Sequence, residues 1–324
     1  MNDSIGIGII GCGLIGETHA QCLVELGEGG RLFFDIDPAR ASELAEKYGG
    51  KVAKSAEELI ASPEIAAVYI CTHHDTHAPL AVLAAQHGKH IFLEKPMALT
   101  EADCRRIVEA VDRGKVRCMT GFKLRFNPLA TRAEELIPKP TLIVAHILDN
   151  RWPDDSWAND PIKGGGNVLS QGCHAVDLVC EFARSKPIRV FGEGGNLHHK
   201  GIDITDTLAM TLTFANGTVA SVVIADAGES PVVGKFSFQL FDGAHSLHLF
   251  DRMKQLVYTD GKTEKVFTEF EELGFMNENS EFLSAIRGHR SPSSDHYAGL
   301  RATLILLKAI ESARTHQSIT LDSI

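Results

Sequence analysis

The run Gly11-Cys12-Gly13-Leu14-Ile15-Gly16 constrains this chain more than any other stretch, because an apolar strand-like segment leads into it and a helical segment leads out. Each glycine answers a separate geometric demand. Gly11 permits a tight turn, Gly13 lets a ligand's phosphates approach the backbone, and Gly16 lets the following helix pack close to the strand. Glycine patterns alone are common. Here an acidic residue, Asp35, ends the next strand about 20 positions on, the spacing of a dinucleotide-binding strand-helix-strand unit. Its carboxylate suits both hydroxyls of an adenosine ribose and would repel a 2′-phosphate, so NAD is expected over NADP. Asp37 is the alternate carboxylate, one pleat repeat further. Leu14 and Ile15, between the glycines, complete the expected cofactor loop.

Around that loop the first third of the chain alternates strand-like and helix-like segments. Strands are predicted at 5–10, 32–36, 67–72, 90–94 and 116–121. Helices are predicted at 16–26, 38–48, 77–87 and 100–113, the last opened by a Thr100/Asp103 capping pattern. Such alternation implies a parallel sheet with crossover helices, an α/β Rossmann domain over residues 1–121. Beyond Pro140 the punctuation changes: Asn216-Gly217, Asp242-Gly243 and Asp260-Gly261 each separate two β-prone runs, as tight hairpins do. Residues 122–324 are therefore expected to form an α+β domain with an open, mainly antiparallel sheet. Helices at 127–137, 168–183, 277–287 and 296–315 would cover one face of it. Apolar residues point both ways across 219–224, so a second subunit is expected against the other face, giving a homodimer or homotetramer.

Composition removes several classes of function. The 324 residues, 44% of them apolar, are enough for two cores. Thirty-two basic against 42 acidic residues give a net charge of −10, and no Lys/Arg block stands out, which argues against a nucleic-acid partner. Seven cysteines without a CxxC pair fit neither a disulfide framework nor a zinc site, and suit a reducing cytoplasm. No apolar run reaches the roughly 18 to 20 residues of a membrane helix, and the amino terminus lacks the basic region of a secretion signal.

The second chemical motif, Gly88-Lys89-His90-Ile91-Phe92-Leu93-Glu94-Lys95-Pro96, ends a predicted strand. Strand carboxyl ends in such a sheet face the ligand crevice, so Lys95 is expected where a nicotinamide would lie. An ammonium there can bond a substrate hydroxyl and stabilise charge developing on its oxygen. Taken with the glycine loop, Thr72 to His77, Arg125-Phe126-Asn127-Pro128 and Gly164-Gly165-Gly166 leading to His174, the chain resembles the Gfo/Idh/MocA oxidoreductases over essentially its whole length. The resemblance implies a Rossmann domain followed by an α/β domain whose open sheet often joins subunits, and substrates that are mostly sugars, inositols or their derivatives. It implies Lys95 as catalytic lysine, His174 as catalytic histidine and a Lys95-Pro96 peptide that is often cis. His77 fits the family's loop histidine, while His73 replaces a usual proline. Both are expected to border the cofactor crevice with Thr72 and Glu94.

One position departs from the family. Many of its dehydrogenases carry Asp where Ser170 stands, one helical turn before His174, where an acid would share the same substrate hydroxyls. Ser170 can supply one hydrogen bond instead, and Asp177, three residues after His174, is an alternative orienting carboxylate. Arg125 is a further substrate-binding candidate. So are Trp152 and Trp157, in the loop before the triple glycine, which could stack on a sugar ring. No metal is expected at His73, His74 and His77, because no Cys or carboxylate partner matches them. His198-His199 reads as a solvated loop.

The expected reaction is NAD-dependent oxidation of a secondary alcohol of a sugar, inositol or related polyol. His174 removes the hydroxyl proton, Lys95 stabilises the alkoxide, and the cofactor takes the hydride. Two other readings use the same residues: a redox-neutral glycosidase or lyase acting through a transient keto sugar, and a non-catalytic NAD-binding sugar sensor. The missing acid at Ser170 favours both.

Overall fold

The computed structural model describes residues 4–28, 31–226, 228–229, 232–269 and 273–322. It divides into two units, Met1–Phe122 with Phe275–Leu300, and Lys123–Gly274 with Arg301–Ile324. The first unit opens with the predicted alternation: β1 (Ile7–Ile10), α1 (Leu14–Glu25), β2 (Arg31–Phe34), α2 (Pro38–Tyr48), β3 (Lys51–Val52), α3 (Ala56–Ala61), β4 (Ala67–Ile70), α4 (His77–Gln86), β5 (His90–Leu93), α5 (Glu101–Gly114) and β6 (Cys118–Thr120). The strands pair in the order β3-β2-β1-β4-β5-β6, all parallel. β1 and β4 are buried throughout, which is why their sequences read as continuous apolar runs rather than alternating ones.

Local chemistry sets the helix starts. The Asp37 carboxylate accepts the Ala39 N–H ahead of Pro38, so this residue caps α2. The Thr100 hydroxyl accepts the Asp103 N–H, as its capping pattern predicts. Periodicity did not reveal β3 and α3. A two-residue exposed strand carries no pattern, and a six-residue helix scarcely more.

The second unit contains α6 (Pro128–Leu136), β7 (Leu142–Asp149), α7 (Gly166–Ala183), β8 (Pro187–Gly195), β9 (Thr207–Phe214), β10 (Val219–Asp226), β11 (Phe236–Phe241), β12 (Ser246–Phe250), β13 (Gln255–Thr259) and β14 (Glu264–Thr268). There follow α8 (Phe275–Arg287), α9 (His296–Thr315) and β15 (Ile319–Thr320). Nine strands form one sheet in the order β14-β13-β12-β11-β7-β10-β9-β8-β15. Only β7 and β10 pair parallel; the other neighbours are antiparallel, and the three predicted Asx-Gly turns all join hairpins. α7 lies on this sheet so closely that a Cβ on Gly172 would meet the Ile224 side chain of β10 at 2.7 Å. Beneath it Ala220, Val222 and Ile224 are buried, whereas Val219 is exposed and Ser221 and Val223 are half-buried.

One helix sits elsewhere than expected. α8 does not cover the second sheet but belongs to the first unit. There its Phe282 meets the Tyr69–Phe92 stack edge-on, with ring centroids 5.6 and 5.5 Å away and all three rings fully buried. Residues 275–300 therefore complete a core whose strands end before residue 121. Phe282→Ala is expected to destabilise the first unit by about 3–5 kcal/mol, read as a lower urea midpoint. An unmoved midpoint would show that α8 is not part of that core.

Candidate functional site

In the first unit the glycine loop is built as its spacing requires. Gly11 has φ +91°, and a Cβ there would lie 2.4 Å from the Cys71 carbonyl oxygen. A Cβ on Gly16 would lie 2.0 Å from the Gly11 carbonyl oxygen, so only glycine lets α1 start this close to β1. Gly13 faces open space and ends the loop without a side-chain cap on α1, leaving a positive helix end for an anion. Asp35, just beyond β2, is held by two main-chain donors: Cys12 N–H to Oδ2 at 2.7 Å and Asp37 N–H to Oδ1 at 2.8 Å. The Cys12 thiol lies 3.5 Å from the Phe34 carbonyl oxygen, and burial together with the nearby Asp35 charge pushes its pKa up to about 12. Leu14 and Ile36 are apolar yet 78% and 87% exposed, the kind of surface a flat aromatic ligand can cover. Sequence reading passed over Ile36. These features fit a dinucleotide.

The Lys95-Pro96 peptide at the end of β5 is cis, as the resemblance implies. Glu94 beside it is buried, accepting the Lys95 main-chain N–H at 3.2 Å and bonding His19 Nε2 of α1 at 3.0 Å. Because an ionised carboxylate only accepts, Nε2 carries the proton, and His19 Nδ1 accepts from Asn279 Nδ2 of α8 at 2.9 Å. Donor atoms of His19, Glu94 and Glu278 lie within 4.8 Å of one another. No local motif joins residues 75 and 260 positions apart, so sequence reading missed this network.

Both ring nitrogens of His77 face main-chain carbonyls. It is fully buried, with Nδ1 2.9 Å from the Pro96 carbonyl oxygen and Nε2 3.3 Å from that of Thr72, and burial lowers its pKa. A neutral ring has one N–H to give, so it donates to one of these two carbonyls, and both nitrogens face the strand-end turns. Thr72, His73 and Lys95 remain half-buried at those turns. The Thr72 hydroxyl accepts from Thr76 at 2.6 Å.

In the second unit α7 carries Ser170, His174 and Asp177 on one face, with exposures of 4%, 2% and 1%. Asp177 is engaged by Arg125: the guanidinium meets both carboxylate oxygens, with Nε 3.0 Å from Oδ2, and reaches Glu181 Oε2 at 2.6 Å through Nη1. Burial lowers the guanidinium's pKa, but the two carboxylates outweigh it and raise it overall. Arg125 and Asp177, both expected at substrate, thus satisfy each other. Trp152 is half-buried and Trp157 41% exposed. His199 is not solvated: its Nδ1 and Nε2 each lie 2.7 Å from a carboxylate oxygen, of Asp154 and Asp226 respectively, while His198 is exposed. That arrangement anchors the loop carrying Trp152 to the end of β10.

With both halves described, comparison with known proteins becomes decisive. Residues 5–122 match the description "Oxidoreductase family, NAD-binding Rossmann fold", and residues 131–231 match "GFO/IDH/MocA C-terminal domain". The chain belongs to the GFO/IDH/MocA oxidoreductase family. An uncharacterized oxidoreductase of Streptococcus pneumoniae is 33% identical, covering 64% of this chain and 59% of its own length. Myo-inositol 2-dehydrogenase of Thermotoga maritima is 26% identical, covering 98% of this chain and 99% of its own. A levoglucosan dehydrogenase solved with NADH and levoglucosan shares the fold at TM-score 0.90 and 21% identity, over 99% of this chain and 100% of that one. The family thus binds a nicotinamide dinucleotide and includes inositol and sugar dehydrogenases, and also a hydratase.

The buried Arg125–Asp177 pair gives a direct test of structural against substrate roles. Asp177→Asn is expected to cost about 3–5 kcal/mol, because it weakens the pairing of a buried guanidinium. Urea unfolding reads this, and wild-type stability in the variant would return Asp177 to the list of substrate ligands.

Proposed function

We propose that this protein is an NAD-dependent dehydrogenase that oxidises a secondary alcohol of a sugar, inositol or related polyol. The observation that carries the reading is Lys95. Its main chain is held by Glu94 at the carboxyl end of β5, in the unit that also holds the glycine loop and Asp35. The full-length likeness to a myo-inositol 2-dehydrogenase supports the substrate class.

Gly11, Gly13 and Gly16 with the first turn of α1 hold the pyrophosphate, and Asp35 takes the adenosine ribose hydroxyls, which favours NAD over its 2′-phosphate relative. NAD supplies the hydride acceptor when bound. His174 takes the proton from the substrate hydroxyl as general base. The Lys95 ammonium is the first unit's group for stabilising negative charge that grows on the reacting oxygen. Ser170 adds a neutral hydrogen bond where an acid stands in many dehydrogenases of the family.

The test is a panel of inositols, aldoses and glycosides incubated with enzyme and either NAD⁺ or NADP⁺. Expected are NADH absorbance and a keto product with NAD⁺, and at least a tenfold lower kcat/KM with NADP⁺. Lys95→Met should reduce kcat by at least 10³-fold with near-normal NAD⁺ affinity. Full activity in that variant would remove Lys95 from the mechanism. A product altered by water addition or elimination without net NADH would favour the redox-neutral reading, which the hydratase among the relatives also supports.

The same reading includes a homodimer or homotetramer joined through the second unit's sheet, supported by exposed Leu142, Ile188 and Val219 on its strands. Sedimentation of the full chain should give at least twice the monomer mass of 35.2 kDa. A monomer at micromolar concentration would remove this element.

A further inference from the structure

Asn167, in the first turn of α7, is fully buried, and neither its Nδ2 nor its Oδ1 has a hydrogen-bond partner among the described residues. Buried side-chain amides are almost always paired, so a carboxamide with both ends unmatched points to a group the protein chain does not supply. Three further observations bear on what that group is. At 3.6 residues per turn, Asn167, Ser170 and His174 fall within about 60° of one another on the helix, on the side away from the sheet-facing Gly172. The helix starts at Gly165, in the left-handed region at φ 74°, without a side-chain cap, and helical side chains lean towards the amino-terminal end. The Asn167 carboxamide thus lies near the amino-terminal, positive end of the helix. Finally Asn159, in the short turn packed on this loop, is fully buried and also has an unmatched Oδ1.

An unmatched amide donor and an unmatched amide acceptor on one side chain do not suit a carboxylate, which only accepts. They suit hydroxyls, which donate and accept. We propose that Asn167 is a substrate-recognition residue that spans two adjacent hydroxyls of the polyol, Nδ2 donating to one and Oδ1 accepting from the other, next to the carbon served by Ser170 and His174. This deepens the polyol reading above and rests on it for the substrate class.

The experiment measures binding and turnover separately. NADH-loaded wild type and Asn167→Leu are titrated calorimetrically with myo-inositol, scyllo-inositol, D-glucose and D-xylose, and the same compounds are assayed with NAD⁺. Loss of two hydrogen bonds should weaken the tightest polyol about 10- to 100-fold, with NADH affinity unchanged. Ligand-free Asn167→Leu should melt no lower than wild type, because an apolar side chain replaces an unmatched amide. A structural asparagine would show the reverse. Asn167→Ala is the second variant should leucine not be accommodated. Polyol binding that is lost in the variants without any NADH formed in wild type would support this inference and overturn the dehydrogenase reading. Turnover with polyol affinity unchanged in both variants would overturn the inference alone. No polyol binding by wild type would overturn both.

Discussion

A carboxylate buried at the end of a strand is tolerated only where donors surround it, and Glu94 organises the first unit around that requirement. It bonds His19 from α1 and accepts the main-chain N–H of Lys95, and a Cβ on Gly121 would lie 2.8 Å from its Oε1. Through His19 the network reaches Asn279 of α8. One side chain therefore connects the helix that follows the glycine loop, the strand end that presents the lysine, the neighbouring strand end and a helix from far along the chain. Three aromatic rings surround the same histidine, with centroids 5.3 Å (Tyr69), 4.6 Å (Phe92) and 5.8 Å (Phe275) from its own. Polar pairing and apolar packing are thus satisfied in one place.

The second unit handles charge differently. Its long helix carries Ser170, His174, Asp177 and Glu181 along one face, and Arg125 engages the last two acids. The carboxyl-terminal half of the face is therefore charged, with both acids paired to one guanidinium. The amino-terminal half keeps uncharged hydrogen-bonding groups beside the histidine. A neutral serine in a position often acidic in the family belongs to the same pattern: the strip nearest the helix start carries hydrogen-bonding groups without a negative charge of its own.

Much of this was legible in the sequence, for physical reasons that differ by element. The glycine loop, Asp35 and Lys95 announce themselves because close backbone approach and strand-end position demand particular residues at particular spacings. The hairpins were visible because the glycine of each Asx-Gly pair supplies the positive φ angle its turn needs. Long-range partnership was not visible. Nothing in the residues around His77, Asp177 or His199 says that a carbonyl, a guanidinium or a carboxylate waits across the fold, so each was read as freer than it is. Assignment of α8 to the second sheet failed likewise: its amphipathic pattern reports that one face is buried, not what buries it. Asn167 lay inside a recognised motif without a role being given to it, although its position seven residues before His174 puts it on the same face.

The cysteine within the cofactor loop has a consequence of another kind. Thiols react with oxidants and alkylating agents as thiolates, and a pKa of about 12 leaves on the order of one in 10⁵ Cys12 side chains in that form at pH 7. Burial suppresses that ionisation most, and the nearby Asp35 charge adds to it. A cysteine whose place in the glycine loop suggests a redox sensor is thereby held almost wholly as the less reactive thiol.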